Sequence, residues 1–121
     1  MDLFKIVVAG GRSFDDYGLL KDRLDSFTNT KSKTHEIVIV SGTAKGADTL
    51  GETYAFEHEL AVEMFPAQWD KHGKSAGYKR NAEMANAADA VVVFWDGKSK
   101  GSKHMIDIAK KVGLPLRVVI Y

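Results

Sequence analysis

Between Glu36 and Asp48 the chain reads Glu-Ile-Val-Ile-Val-Ser-Gly-Thr-Ala-Lys-Gly-Ala-Asp. A β-branched strand pattern over Glu36 to Val40 stops at Ser41-Gly42, and a helical pattern opens after Lys45-Gly46. Strand, small-residue turn and helix make the unit from which α/β sheets build anion sites. Glycine lets the backbone approach a ligand, and the unsatisfied N–H groups of the next helical turn point at it. Any strand-to-helix connection also tolerates glycine, so the weight lies in the recurrence of the unit along the chain.

Phe4 to Ala9 is a continuous apolar run ending at Gly10-Gly11, the pattern of a strand buried on both faces of a parallel sheet. Asp15-Asp16 marks a helix start, and Tyr17, Leu20, Leu24 and Phe27 fall at spacings of three and four. Thr28 to Thr34 reads as a polar turn before the second strand. The second helix is expected from about Ala47 to Glu59, and a short third strand, Ala61 to Phe65, is stopped by Pro66. Pro66 to Gly77 reads as irregular, with Trp69 as a candidate pocket wall. A helix from about Tyr78 to Ala88 precedes Ala90 to Trp95, the most apolar run and so a central strand. After Asp96-Gly97-Lys-Ser-Lys-Gly101-Ser102 comes a helix with Met105, Ile108, Ala109 and Val112 on one face, which stops at Gly113. Leu116 to Tyr121 is the last strand. The predicted fold is a Rossmann-like α/β three-layer sandwich: a five-stranded parallel sheet of order 3-2-1-4-5, flanked by about four helices, in a single domain over residues 1–121.

With 121 residues the chain can bury one core. Its formal charge of +1 provides no field for duplex nucleic acid or anionic membrane. No cysteine is present, and His35, His58, His72 and His104 lack metal-ligand spacing, so no metal site is expected. The apolar start lacks the basic lead-in of a signal peptide, and the expected setting is the cytoplasm.

In a sheet of this order, ligands bind beyond the carboxyl ends of the strands where the winding direction reverses. This gathers Gly10, Gly11, Arg12 and Ser13 with Ser41, Gly42, Thr43 and Gly46, and with the stretch from Asp96 and Gly97 to Gly101 and Ser102. Gly101-Ser102 opens the last helix, where amides and a hydroxyl suit a phosphate. Lys98, Lys100 and Lys103 either add charge there or are solvated. Arg12 either takes a phosphate with its planar fork or pairs with Asp15 or Asp48. Asp48 and Asp96 either complement a helix start or accept from a ribose hydroxyl. Trp69 either stacks on a base or closes the core edge. Gly42-Thr-Ala-Lys-Gly46 lacks the Gly-Lys-Ser/Thr ending of a P-loop, and Gly10-Gly11-Arg12 is not the dinucleotide pattern Gly-x-Gly-x-x-Gly.

Five groups of residues, in this order, carry a resemblance that covers nearly the whole chain. They are Ala9-Gly-Gly-Arg12 with Phe14, Ser41-Gly42 with Gly46-Ala-Asp48, Phe65-Pro-Ala67 with Trp69, Ala76-Gly77 with Arg80-Asn81 and Met84, and Phe94-Trp-Asp-Gly97 with Gly101-Ser102. The chain resembles the SLOG superfamily, which joins the LOG phosphoribohydrolases to the DNA-processing protein A fold, and within it the small stand-alone YspA-type branch. The resemblance implies a nucleotide or nucleotide-derived ligand, no identified resident cofactor, and a homo-oligomer. Family members that hydrolyse N-glycosidic bonds use an arginine on the third helix and a glutamate in a Pro-Gly-Gly-x-Gly-Thr-x-x-Glu loop. Arg80 matches that arginine, Asn81 stands where a lysine is usual, and Met105 stands at the glutamate. A thioether moves no catalytic proton. The reading is therefore a binding module whose ligand-binding residues include Arg80. A LOG-like hydrolase using Asp48, Asp96 or Asp107 is the alternative. Single-stranded DNA binding comes third, disfavoured by the near-neutral charge.

Overall fold

Apolar runs with no polar alternation need cover on both faces, and the chain provides it by winding in two directions. The computed structural model describes residues 2–121. Strands β1 (Asp2–Gly10), β2 (His35–Ser41), β3 (Ala61–Met64), β4 (Ala90–Trp95) and β5 (Leu116–Ile120) form one sheet of order β3-β2-β1-β4-β5. Every pairing is parallel, and Ile6 lies between Ile39 of β2 and Ala90 of β4. The predicted Rossmann-like architecture is the observed one.

Helices α1 (Tyr17–Lys31) and α2 (Ala47–Glu57) follow β1 and β2. After β3 come a single turn, α3 (Trp69–His72), a 3-10 turn over Gly73–Ser75, and α4 (Ala76–Ala87). The last helix, α5 (Lys100–Val112), joins β4 to β5. Residue alternation along β1 sorts the core in two. Ile6 and Val8 pack with Leu20, Leu24 and Tyr54 of α1 and α2, and Val7 and Ala9 with Met84, Met105 and Ala109 of α4 and α5. Each such aliphatic side chain contributes roughly 1.5–3 kcal/mol when fully buried.

Local chemistry sets the ends. Asp16 caps α1 by accepting the Leu19 amide at 3.1 Å, and Gly113 closes α5 in the left-handed region at φ +78°. Three segments depart from the sequence expectation. Thr28 to Lys31 continues α1 instead of turning, because the buried Thr28 hydroxyl meets the Tyr54 hydroxyl at 2.9 Å and so belongs to the core. Helix α2 ends at Glu57, two residues early, since Glu59 takes a left-handed conformation (φ +56°) as the chain turns toward β3. The Pro66–Gly77 stretch is largely helical, and α4 starts at Ala76.

Gly46 fixes how the first two strand-end loops meet. It adopts φ +81°. The Gly11 carbonyl beneath it accepts the amides of Phe14 at 3.2 Å and Ala47 at 3.3 Å. A Cβ at Gly46 would collide with the Gly11 oxygen and lie 2.7 Å from the Arg12 carbonyl. Gly46→Ala is therefore expected to lose about 1–3 kcal/mol of stability in urea unfolding. A loss below about 0.5 kcal/mol would show that the two loops slide apart freely.

Candidate functional site

The carboxyl ends of β1, β2 and β4 open onto one cavity of about 500 Å³, within the size range of small-molecule sites. Its walls come from four places in the chain. Gly10, Gly11, Arg12 and Ser13 come from the end of β1 and the loop after it, and Ala44 and Asp48 from the β2–α2 loop and the start of α2. Trp69, Lys74, Tyr78, Arg80 and Asn81 come from the α3–α4 region, and Asp96, Ser99, Gly101, Ser102 and Met105 from the β4–α5 connection.

The β4–α5 connection is held in shape before any ligand arrives. Asp96 accepts the amides of Lys98 and Ser99, both at 2.8 Å, which lowers its pKa. Trp95 Nε1 donates to the Ser99 carbonyl at 3.0 Å. Ser99 thereby becomes the N-cap of α5, with no side-chain cap bond. The Lys103 amide is the first to return, to the Ser99 carbonyl at 3.1 Å. The amides of Lys100, Gly101 and Ser102 thus precede the first helical bond. Ser102 is 5% exposed, and its hydroxyl is buried without a hydrogen-bond partner among the described residues. A buried hydroxyl with no partner carries a desolvation cost.

Across the cavity, Gly42 lets a half-buried arginine and a buried carboxyl close on the β2–α2 loop. A Cβ at Gly42 would stand 2.6 Å from Arg80 Nη1 and 2.8 Å from Asp48 Oδ2. Arg80 donates from Nη1 to the Gly42 carbonyl at 2.5 Å and from Nε to Asn81 Oδ1 at 3.0 Å. Asn81, itself buried, donates to the Gly101 carbonyl at 3.3 Å and to His104 Nδ1 at 3.2 Å. A polar chain thus runs from α2 through α4 to α5. Burial lowers the Arg80 pKa, the nearby charge of Arg12 adds to this, and Asp48 opposes it. Burial likewise lowers the His104 pKa, against the pull of Asp107, in keeping with Nδ1 as an acceptor.

Asp48 is 4% exposed and has its pKa raised to about 6, chiefly by burial. The Ala44 amide, donating at 3.2 Å, together with Arg80 and the Gly42 amide, holds the rise in check, while Glu52 adds to it.

The candidate residues divide by position. Gly10, Gly11, Arg12, Ser13, Asp48, Arg80, Asp96, Gly101 and Ser102 line the cavity, and so does Trp69, which is 53% exposed at the lip. Ser41, Gly42, Thr43, Gly46 and Gly97 lie outside the lining. Ser41 is fully buried, donating to Glu52 at 2.5 Å and accepting the Thr43 amide at 3.0 Å, so it shapes the loop from beneath. Arg12 is exposed and makes no ion pair with Asp15 or Asp48. Lys98, Lys100 and Lys103 are also outside the lining, and Lys103 pairs with Asp107 at 2.9 Å. Sequence reasoning missed Ser99, Lys74 and Tyr78. It also missed Tyr121, whose hydroxyl packs over Gly11 and lies 3.4 Å from the Ser13 hydroxyl. Among the described residues no three His, Asp or Glu side chains gather as a metal site, and no helix is long and apolar enough to cross a membrane.

A doubly wound parallel sheet with a cavity at its switch point defines a Rossmann-like α/β fold. The chain belongs to the YspA, cpYpsA-related SLOG family, whose model matches residues 4–72. It is 31% identical over 118 residues to the Gene 61 protein of Mycobacterium phage D29, covering 93% of each chain. Its fold is similar to that of DNA processing protein A from Helicobacter pylori, a structure described for its single-stranded DNA binding mode (TM-score 0.68, 23% identity, 95% of this chain and 64% of that one). It is also similar to DNA processing protein A from Streptococcus pneumoniae (TM-score 0.73, 19% identity, 97% of this chain and half of that one). A third likeness is to the structural-genomics protein TM1055 (TM-score 0.65, 20% identity, 96% of this chain and 72% of that one). The chain therefore spans under two thirds of either DNA processing protein, and at these identities the likeness is one of fold.

Holding a carboxyl's pKa near 6 instead of its usual 3.8 costs the charged form roughly 3 kcal/mol. The folded state binds the extra proton, so stability falls as pH rises from about 4 to about 6, and the deficit then stays constant. Asp48→Asn keeps an acceptor for Ala44 without the charge. It is expected to be more stable than the wild type by about 2–3 kcal/mol at pH 7, with the difference vanishing below about pH 4. Equal stabilities in urea at both pH values would show that Asp48 is hydrated.

Proposed function

We propose that this chain is a binding module for a nucleotide or nucleotide-derived ligand whose phosphate rests on the first turn of α5. The observation that carries this reading is the buried, unpartnered Ser102 hydroxyl in the wall of the cavity that Arg80 also lines. The leading amides of α5, the hydroxyl and a guanidinium supply the donors that a phosphate's oxygens accept. The apolar patch of Ala9, Met84 and Met105 suits a sugar or base face, and Trp69 at the lip suits stacking. Hydrolysis of an N-glycosidic bond would need a carboxylate. Met105 lines the cavity at the position the resemblance gives to glutamate, and Asp107 is outside the lining. Asp48 and Asp96 are the carboxyls left to that alternative.

Ser102→Ala separates binding from folding, because the hydroxyl has no partner to lose. Against a panel of adenine and guanine nucleotides, the wild type should gain about 2.7 kcal/mol of stability at a hundred times the dissociation constant of a true ligand. Ser102→Ala should bind that ligand at least about tenfold more weakly, a loss of roughly 1.5–3 kcal/mol, with unliganded stability not reduced. Unchanged affinity in the variant would remove the α5 terminus from the site.

A second reading is single-stranded DNA binding, as described for the Helicobacter DNA processing protein A. It is favoured by exposed Trp69 and Tyr78 beside Lys74 and Arg12 around one opening. Stacking surfaces interleaved with cations suit a single strand despite the near-neutral total charge. Oligonucleotide retardation at low salt that disappears in Trp69→Ala supports this reading, and no retardation at low salt rejects it.

A further inference from the structure

We propose that the cavity takes up its anion together with one proton, which Asp48 holds as a neutral carboxylic acid that donates to the ligand. This rests on the reading of the cavity as an anion site and adds a binding group and a charge rule to it.

The geometry begins at Gly42, where Asp48 and Arg80 converge within 3 Å of a single Cβ position. The arginine is only partly used by the protein. Nη1 goes to the Gly42 carbonyl and Nε to Asn81, while Nη2 makes no hydrogen bond among the described residues and lies on the Gly77 side, at the cavity wall. An anion that engages Arg80 from the cavity therefore arrives next to a carboxyl that is already buried. Two anions side by side in a site with little water repel strongly, and one responds by binding a proton. A protonated carboxyl turns that repulsion into a charge-assisted O–H···O bond.

The charged neighbours of Asp48 favour this outcome. Arg80 faces it from α4, and Arg12 of the β1–α1 loop faces Arg80 in turn. Glu52, one turn along on α2, adds negative charge. From the β2–α2 loop come the backbone amides of Gly42 and Ala44, the latter donating to Oδ2 at 3.2 Å. Lys74, Asp96 and the α5 terminus share the cavity wall. One cation thus stands between the resident carboxyl and the incoming charge, and solvent supplies the proton with no covalent change.

Sulfate is the probe, because a phosphomonoester sheds its own second proton near pH 6 and would mask the protein's titration. Sulfate affinity of the full chain is measured by thermal shift from about pH 5 to about pH 8, for the wild type and for Asp48→Asn. Wild-type affinity is expected to fall with rising pH above about 6, by up to about tenfold per pH unit, the limit set by one linked proton. The asparagine variant, an uncharged N–H donor, is expected to bind sulfate with nearly pH-independent affinity, at least as tightly at pH 8 as the wild type at pH 6. Calorimetry of the wild type in two buffers of different ionisation enthalpy counts the proton without relying on the variant. Sulfate binding without proton uptake, or a slope that survives in Asp48→Asn and so belongs to another group, overturns the proposal and leaves the anion site standing. No sulfate binding to either protein at any pH removes the anion site itself.

Discussion

Strands β2 and β3 extend the sheet to one side of β1 and strands β4 and β5 to the other. With right-handed crossovers, a change in winding direction must send the next helices to the opposite face. Helices α1 and α2 therefore cover one face and α4 and α5 the other. At the carboxyl edge between β1 and β4 the two following loops lead away from each other, to opposite faces. That divergence leaves a gap, and the 500 Å³ cavity occupies it. The same helices bury the aliphatic side chains that stabilise the fold, so cavity and core share one topological cause.

What the cavity contains is unusual for the edge of a core. Asp48, Asn81 and Ser102 are all nearly inaccessible, and each polar group taken out of water must be compensated. Asn81 is fully engaged, bridging Arg80 to the α5 terminus and to His104. Ser102 is not engaged, and Asp48 is held near a pKa of 6 by its burial. The stabilisation left undone thus concentrates in two residues that line the same cavity. Local cost gathered where a ligand would sit is how a site differs from ordinary packing.

Much of this was legible before any coordinates. The five strands, the helix start at Asp15-Asp16 and the stop at Gly113 follow from apolar runs and helix-end chemistry. Less legible was the division of labour among the loop residues. Ser41 and Gly46 look as ligand-like in sequence as Gly10 and Ser102, yet one props the loop from below and the other carries it past the Gly11 carbonyl. Thr28 reads as a turn residue, and only its contact with Tyr54, 26 positions away, explains why the helix continues through it. Tyr121 gives no local sign that it folds back over Gly11. The helical turns around Trp69 and Ser75 lack a long apolar period and so leave no periodic trace.

By itself, then, the order of residues determined the alternation of strand and helix, the parallel sheet, and the strand ends at which a site could form. These depend on side-chain period and turn chemistry, which act between near neighbours. Tertiary structure alone decided which loop groups face inward, that Asp48 and Arg80 meet over Gly42, and that Ser102 is left without a partner. Those features depend on burial and on distances between residues far apart in the chain, and a local pattern carries information about neither.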